Sequence, residues 1–367
     1  MIEFLLISNV MKTRIYYLLL PIFIFAACES SNIATISTPT SSTPEVKSYD
    51  FRVMTYNVEN LFDTYDDTLK NDQDFLPWGM NKWNQERYQT KLKRTFKVIA
   101  NISEWDYPGL IALTEIENQT VLEDLINATP LMEADYGIIH EESPDARGID
   151  VALLFRKSLF KPISHEAIKV SMADDPSFKT RDILYAQGII HESDTLHFFV
   201  AHFPSRRGGE ATSEPKRILA ASVLRNKCDS ILAHQPEAKI IITGDFNDDP
   251  ANASMSETLR GRDLEENMKE GDFFNMMYDA YKKGYGTYKY QSSWNMLDQY
   301  VISSSLLNSS KNVYTTSQSA HIFQPDWLSI KDDAYPGNKP FRTYSGPNYI
   351  GGYSDHYPVY MDIYFKK

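Results

Sequence analysis

The stretch IIITGDFNDDP, from Ile240 to Pro250, begins as an apolar run and passes directly into Gly244, Asp245, Phe246 and Asn247. An apolar run of this length is typical of a buried strand. Side chains two residues apart on an extended chain face the same way. We therefore expect Asp245 and Asn247 to reach into one cavity, while Phe246 turns back into the core.

The composition limits the classes of protein that are possible. The chain has 367 residues, 42% of them hydrophobic, so it can bury a large core in one α/β domain or in two smaller ones. It carries 37 Lys and Arg against 49 Asp and Glu. Non-specific affinity for duplex DNA comes mainly from clustered basic residues. The acidic balance argues against such a binding surface, so any phosphate must be held locally.

The N-terminus contains a short positive region and the apolar stretch IYYLLLPIFIFAA before Cys28. It resembles a bacterial lipoprotein signal with FAAC as the lipobox. The resemblance predicts a signal peptide over residues 1–27 and a lipid on Cys28, which places the protein in the cell envelope, anchored to the membrane outside the cytoplasm. The alternative is an uncleaved membrane anchor. Residues 28–48, rich in Ser, Thr and Pro, are predicted to form a flexible tether.

Residues 49–367 are predicted to form the folded domain. Short strand-like runs alternate with helical patterns, and no change of composition divides them. This alternation indicates an α/β fold in which helices cover the sheets. Cys228 lies on the apolar face of a predicted helix, so we expect a buried thiol that is neither a nucleophile nor part of a disulfide.

Eight polar residues are predicted to lie on strands or just beyond their ends. Each of them alone is weak evidence, because a polar residue at such a position is often a turn cap or a solvated side chain. The set is more informative, since a sandwich of sheets would gather its members at one edge. The eight are Asn57, Glu115, His202, Asp245, Asn247, Asp298, Asp355 and His356.

Seven motifs occur in a characteristic order from Tyr49 to the C-terminus: TYNVENLF, LTEIEN, GIDVALLF, AHFPSR, TGDFND, WNMLDQYVIS and SDHYPV. The series resembles the endonuclease/exonuclease/phosphatase superfamily, which has the deoxyribonuclease-I-like fold. LTEIEN departs from the frequent pattern, with Thr114 where Gln is common, but it keeps the carboxylate of Glu115. The resemblance implies an α/β four-layer sandwich of two mixed β-sheets flanked by helices.

The resemblance also implies a site for Mg²⁺ or Mn²⁺ at one edge of the sandwich. Its predicted metal-binding residues are Asn57, Glu115 and Asp355. Its predicted catalytic residues are Asp150, His202, Asp245, Asn247, Asp298 and His356. The two histidines would donate to phosphoryl oxygens, with Asp298 as the acid partner of His356 and Asp150 as that of His202. Either Asp245 or His356 would act as the base.

The predicted function is a divalent-metal-dependent phosphoesterase that hydrolyses phosphodiester bonds by in-line attack of water. A secreted nuclease acting on nucleic acid is one interpretation. A phospholipid or inositol-phosphate phosphoesterase and a non-catalytic binding lipoprotein are the alternatives. Arg206 and Arg207, as well as Arg181, are candidates to contact phosphate in the cleft. No protein partner is predicted, and we expect a monomer.

Overall fold

The computed structural model describes residues 50–104, 106–191, 194–266 and 271–366. Twenty strands occur in these ranges. In chain order they are β1 (Phe51–Leu61), β2 (Leu110–Ile116), β3 (Tyr136–His140), β4 (Asp150–Arg156), β5 (Phe160–Ile168), β6 (Ile183–Ile190), β7 (Asp194–His202), β8 (Lys239–Asp245), β9 (Gly261–Arg262), β10 (Phe273–Asn275), β11 (Tyr288–Tyr290), β12 (Ser293–Asn295), β13 (Asp298–Ser303), β14 (Val313–Tyr314), β15 (Ala320–Ile322), β16 (Ser329–Lys331), β17 (Asn338–Pro340), β18 (Tyr344–Ser345), β19 (Asn348–Tyr349) and β20 (Val359–Phe365).

The described residues also form four α-helices: α1 (Gln85–Ile102), α2 (Gln119–Asn127), α3 (Glu210–His234) and α4 (Tyr278–Lys282). Asn84 and Asn118 cap the first two helices, because each side chain accepts a hydrogen bond from a backbone N–H of the first turn. These caps explain why both helices begin where they do.

Two large mixed sheets carry the fold. The first has the order β14-β20-β1-β2-β4-β3, with β15 also paired to β20. The second has the order β5-β6-β7-β8-β13-β10-β9. Strands β1 and β2 are parallel in the first sheet, as are β7 and β8 in the second, and most other pairs are antiparallel. The remaining six strands form three two-stranded hairpins.

Successive side chains along each strand point to opposite faces of the sheet, and this alternation forms the layers of the sandwich. On β1, Val53 packs into the core between the sheets, whereas its neighbour Met54 packs on the opposite face. On β8, Ile241 faces the other sheet, and Ile240 and Ile242 face outwards. Both faces of each sheet are therefore buried, which explains the unbroken apolar runs in the sequence. The predicted four-layer sandwich is confirmed.

The helices form the two outer layers. Helices α1 and α2 pack on the first sheet through residues such as Leu92 and Leu125. Helix α3 packs on the second sheet, where Cys228 is a fully buried free thiol, as predicted. Phe246 belongs to the same cluster and makes an edge contact with Phe203, which confirms that it turns away from the cavity.

The described residues belong to one compact unit by their internal contacts. The predicted signal peptide over 1–27, Cys28, the tether over 28–48 and both predicted end residues of the domain, Tyr49 and Lys367, lie outside the described residues. Within the described ranges, no helix combines the length and apolar character that crossing a bilayer requires.

A polar contact joins the two sheets in the middle of the sandwich. Thr55 of β1 and Thr243 of β8 have their hydroxyl oxygens 2.6 Å apart. The hydroxyl of Tyr300, on β13, lies 3.0 Å from the Thr55 oxygen and donates to the carbonyl of Val53 at 3.0 Å. All these side chains are fully buried. Their hydrogen bonds satisfy polar groups that would otherwise be costly in a dry core.

The substitution Tyr300→Phe removes the hydroxyl from this contact and keeps the ring. We expect the free energy of unfolding to fall by about 1–3 kcal/mol, because buried hydrogen-bonding groups lose a partner. Urea denaturation measures the change. Tyr65→Phe is the matched control, since Tyr65 is 78% exposed. Identical denaturation midpoints for Tyr300→Phe and the wild type would show that the contact does not stabilise the sandwich.

Candidate active site

The register of the second sheet places three of the predicted residues side by side. Asp245, the last residue of β8, pairs with His202 at the end of the parallel strand β7. Asp245 also pairs with Asp298, the first residue of the antiparallel strand β13. The three side chains are almost completely buried. The strand ends therefore converge at one edge of the sandwich, as the sequence pattern predicted.

A cleft of about 710 Å³ opens at this edge. Six of the nine predicted site residues line it: Glu115, His202, Asp245, Asn247, Asp355 and His356. Further lining residues include Asp145, Arg147, Arg181, Ser205, Arg206, Arg207, Tyr288, Tyr290 and Asn295. The volume lies in the range of about 300–1,000 Å³ that is usual for small-molecule sites.

His356 is paired with Asp298, which confirms the predicted partner. The Nδ1 atom of His356 lies 2.7 Å from Oδ2 of Asp298, and its Nε2 lies 3.8 Å from Oδ2 of Asp245. Burial lowers the pKa of His356, but Asp298 and Asp245 outweigh it and raise the pKa well above its usual value. Asp298 therefore fixes the orientation of the imidazole ring. The Nε2 atom stays available to a ligand that binds near Asp245.

Asp245 is held by two hydrogen bonds. Asn57 donates from Nδ2 to Oδ2 at 3.0 Å, and the backbone N–H of Asn247 donates to Oδ1 at 2.9 Å. Burial raises the pKa of Asp245 to about 7, although His356 acts in the opposite direction. Asn57 was predicted to lie near the metal, but its amide oxygen accepts from the backbone N–H of Glu59. Its metal-binding role stays a prediction.

Asn247 adopts a left-handed backbone conformation, with φ of 51°. Its side chain donates to the carbonyl of Phe203 at 3.0 Å. Asn tolerates this conformation better than most residues do. The conformation and the hydrogen bond together fix Asn247 at the rim of the cleft.

The predicted pairing of Asp150 with His202 was wrong. Asp150 lies at the start of β4, where its carboxylate is 3.3 Å from Nε2 of His140 and accepts from the backbone N–H of Ser143 at 2.9 Å. His140 ends β3 opposite Ala152 of β4, so Asp150 is its diagonal neighbour two residues along the partner strand. His202 has no hydrogen-bond partner for Nδ1 among the described residues.

His202 instead lies next to Asp245, with Nε2 3.5 Å from Oδ2 of that residue. Burial lowers the pKa of His202 well below its usual value, and the charges of Arg181, Arg147 and His356 lower it further. The two histidines of the site therefore differ: two carboxylates raise the pKa of His356, whereas burial and the nearby positive charges lower that of His202, although Asp245 lies beside it.

Two carboxylates in the cleft are suited to hold a divalent ion. One oxygen of Glu115 accepts from the backbone N–H of Asn60 at 2.9 Å, and one oxygen of Asp355 accepts from Arg342 at 3.1 Å. Each residue keeps its second oxygen without a hydrogen bond to a described residue. Mg²⁺ takes few protein ligands and retains several waters, so this donor set fits it.

A separate group of candidate ligands lies at the facing ends of β3 and β4. His140, Glu142 and Asp150 have ligand atoms within 4.8 Å of one another. Asp150 already shares its two oxygens between Ser143 and His140, so its carboxylate has hydrogen-bond partners without an ion. Glu115 and Asp355 lie instead in the cleft with both histidines.

The sequence matches the profile of the "Endonuclease/Exonuclease/phosphatase family" over residues 52–366. The chain belongs to this family. No curated protein matches the sequence significantly. The family match covers nearly the whole described domain, so the seven motifs and the fold point to the same relatives.

Solved structures of family proteins have the same fold. A family protein from Bacteroides thetaiotaomicron has a TM-score of 0.52 and 16% identity, with coverage of 86% of this chain and 98% of that one. A mannosyl-6-phosphatase from the same species has a TM-score of 0.52 and 17% identity, with coverage of 86% and 100%. D. rerio TDP2, in complex with a single-strand DNA product, has a TM-score of 0.50 and 16% identity, with coverage of 85% and 98%.

Sequence reasoning missed a partly buried ion-pair network beside Asp355. Arg342 contacts Asp355 and also Glu59, whose Oε1 it approaches at 3.0 Å. Burial, followed by the charge of Asp355, raises the pKa of Glu59 to about 7. Lys91 of α1 donates to Thr343, next to Arg342. Glu59 lies within the motif TYNVEN, but its partners are more than 280 positions away, so no local signal identifies them.

Arg206 and Arg207 both line the cleft, but they differ in their contacts. Arg206 donates from Nε to the carbonyl of Asn247 at 2.7 Å and from Nη2 to Asp249 and Asn252, each at 3.1 Å. Arg207 is exposed and makes no hydrogen bond or ion pair with a described residue. Arg206 therefore stabilises the loop that contains Asn247, whereas the guanidinium of Arg207 is available to a ligand in the cleft.

The paired substitutions Arg206→Ala and Arg207→Ala test this difference. Arg206→Ala removes three hydrogen bonds of a charged group, so we expect the free energy of unfolding to fall by about 2 kcal/mol. Arg207→Ala should stay within about 0.5 kcal/mol of the wild type, as is usual for an exposed residue without partners. Urea denaturation measures both. Equal stability of the two variants would refute the supporting role of Arg206.

Proposed function

We propose that the chain is a divalent-metal-dependent phosphoesterase that hydrolyses phosphodiester bonds by in-line attack of water. Family membership supports a phosphoester hydrolase. The observation that carries the proposal is the shared cleft, in which two acids suited to a metal lie with two histidines and the Asp245–Asn247 pair. A catalytic cleft for phosphoryl transfer needs this combination of charge stabilisation and proton transfer.

Glu115 and Asp355 would hold the metal, Mg²⁺ or Mn²⁺, which when bound would neutralise charge on the phosphoryl oxygens and make the phosphorus more open to attack by water. Arg342 would orient Asp355 through the 3.1 Å contact, and the backbone N–H of Asn60 would orient Glu115. Such contacts to the far oxygen of a ligand fix its direction.

Asp245 would act as the base that takes a proton from the attacking water. Its carboxylate accepts hydrogen bonds from Asn57 and Asn247, so its position is fixed before substrate enters. His356 would donate from Nε2 to a phosphoryl oxygen, since Nδ1 is engaged by Asp298. This assignment selects Asp245 from the two candidate bases, because the charged form of His356 is favoured by the carboxylates on either side.

His202 and Asn247 would complete the binding of the phosphoryl group. Both line the cleft, and both have a side-chain nitrogen that can donate a hydrogen bond. Donors directed at oxygens that gain negative charge lower the barrier of the reaction. Asp298 would position His356, and Asn57 would position Asp245, without contacting the substrate.

The proposed substrate is a phosphodiester, as in a secreted nuclease. The names of two structural relatives are consistent with phosphoester chemistry, since one is a mannosyl-6-phosphatase and the other is bound to a single-strand DNA product. They do not select one substrate class for this chain. We also propose, on the sequence of the N-terminus, that a lipid on Cys28 anchors the protein in the cell envelope.

Hydrolysis of bis(4-nitrophenyl) phosphate tests the proposed reaction. We expect turnover with Mg²⁺ or Mn²⁺ and its loss in EDTA. His356→Ala and Asp245→Ala should each lower kcat by at least about 100-fold, because each removes a group that acts on the reacting atoms. Circular dichroism spectra unchanged from the wild type would show that the variants still fold.

His234→Ala serves as the matched control, since His234 is exposed at the end of α3, outside the cleft. It should keep the wild-type rate. Undiminished turnover in EDTA would disprove the metal requirement, and a near-wild-type rate for His356→Ala would show that the site is misassigned. A folded protein that is inert with every metal would favour the binding lipoprotein instead.

A further inference from the structure

One wall of the cleft carries two arginines that share a single carboxylate. Arg181 donates from Nη1 to Oδ2 of Asp145 at 3.2 Å, and it also donates to the carbonyl of Phe203. Arg147 has its Nε 4.0 Å from the other oxygen of Asp145. All three residues line the cleft. The group therefore has one positive charge more than Asp145 can neutralise.

Both arginines of this group are constrained, Arg147 by a backbone hydrogen bond and Arg181 by burial. The backbone N–H of Arg147 donates to Asp145 at 2.9 Å, which fixes the loop between β3 and β4. Arg181 is 7% exposed, and its Nε has no hydrogen-bond partner among the described residues. Arg147 is different, because 45% of its side chain is exposed. Arg181 is buried and anchors the group, whereas Arg147 is exposed and can contact a ligand.

The excess charge lies close to the reacting centre. Arg181 and Arg147 are the two largest charge effects on His202, and both lower its pKa after burial has lowered it. Arg206, by contrast, faces three acids, Glu210, Asp248 and Asp249, within 3.6 Å. Among the arginines that line the cleft, Arg206 is thus matched by several acids, whereas Arg147 and Arg181 share the single carboxylate of Asp145.

We infer that Arg147 and Arg181, held by Asp145, form a subsite for a second phosphate group of the substrate, beside the phosphate that is hydrolysed. This inference rests on the proposed phosphoesterase function. A guanidinium binds phosphate oxygens in a planar, charge-assisted geometry, and an exposed one next to a buried partner is well placed to do so. The cleft, at about 710 Å³, has room for more than one phosphate.

The substrate class that follows is a phosphoester with two neighbouring phosphates. A short nucleic acid and a phosphorylated sugar or polyol both have this chemistry. The acidic charge of the whole chain is compatible with it, because the binding is local and needs no extended basic surface. The subsite recognises the second phosphate. It does not discriminate between the nucleosides or sugars that link the two phosphates.

Two matched substrate pairs test the subsite. Thymidine 5′-(4-nitrophenyl phosphate) is compared with the same ester phosphorylated at the 3′ position, so that the scissile bond is identical. Glucose 6-phosphate is compared with glucose 1,6-bisphosphate by phosphate release. We expect the second phosphate to raise kcat/KM by about tenfold in one pair, as a charge-assisted contact would. The pair that shows the preference identifies the source of the phosphate.

Arg147→Gln should reduce this preference to less than about threefold, because the exposed guanidinium is lost. Arg147→Lys should retain part of it, since the charge remains without the planar fork. Lys157→Gln is the matched control: it removes a positive charge from a side chain that is 54% exposed outside the cleft, and the preference should not change.

The outcomes separate the two proposals. Activity on bis(4-nitrophenyl) phosphate without a preference in either pair overturns the subsite and leaves the proposed function standing. A preference that survives Arg147→Gln also overturns the assignment to this wall. Inertness towards every substrate overturns the proposed function, and the subsite with it.

Discussion

The hydrogen bond from Asn57 to Asp245 joins the two sheets at the edge where the cleft opens. Asn57 belongs to β1 of the first sheet and Asp245 ends β8 of the second, so the bond can form only when the sandwich is closed. Everything proposed for the site depends on this closure. Glu115 and Asp355 come from the first sheet or from the segment that leads into it, whereas His202, Asp298 and Asp245 come from the second.

Deeper in the sandwich, the apolar core between the sheets fixes their distance, and the hydroxyls of Thr55, Thr243 and Tyr300 fix their lateral register. A polar contact in a dry core is favourable only when its members find their partners. The same alignment brings Asn57 to Asp245 two residues further along each strand. The alignment of the two sheets thus contributes to the stability of the fold and also determines the geometry of the cleft.

Much of the fold could be predicted, because its main strands and helices are long and show a clear apolar pattern. The strand Lys239–Asp245 and the helix around Cys228 are examples. The hairpin of β11 and β12 could not be predicted in this way, since its strands have only three residues each, mix aromatic with polar side chains and are at most partly buried. It nevertheless supplies Tyr288 and Asn295 to the cleft.

The site could be predicted where a motif contains the residue and its direction follows from the strand, as for Asp245. Asn247 also reaches the cleft, but it lies beyond β8 with a left-handed backbone, so the alternation of an extended strand does not explain its direction. The hydrogen-bond partners of the site residues were harder to predict, because they depend on the register between strands. Asp150 was assigned to His202 from the order of motifs, but the pairing of β3 with β4 brings His140 to it. The sharing of Asp145 by Arg147 and Arg181 likewise joins two loops that the sequence does not relate.

The central claim is that Glu115 and Asp355, on the first sheet and the segment that leads into it, hold one divalent ion in the cleft that they share with Asp245 and His202 of the second sheet. Crystals soaked in MnCl₂ and measured for anomalous scattering test it most directly. We expect one strong peak in contact with the carboxylates of Glu115 and Asp355, at about 2.1 Å as for a Mg²⁺-like site. A peak at His140, Glu142 and Asp150 alone, or none in the cleft, would contradict the claim.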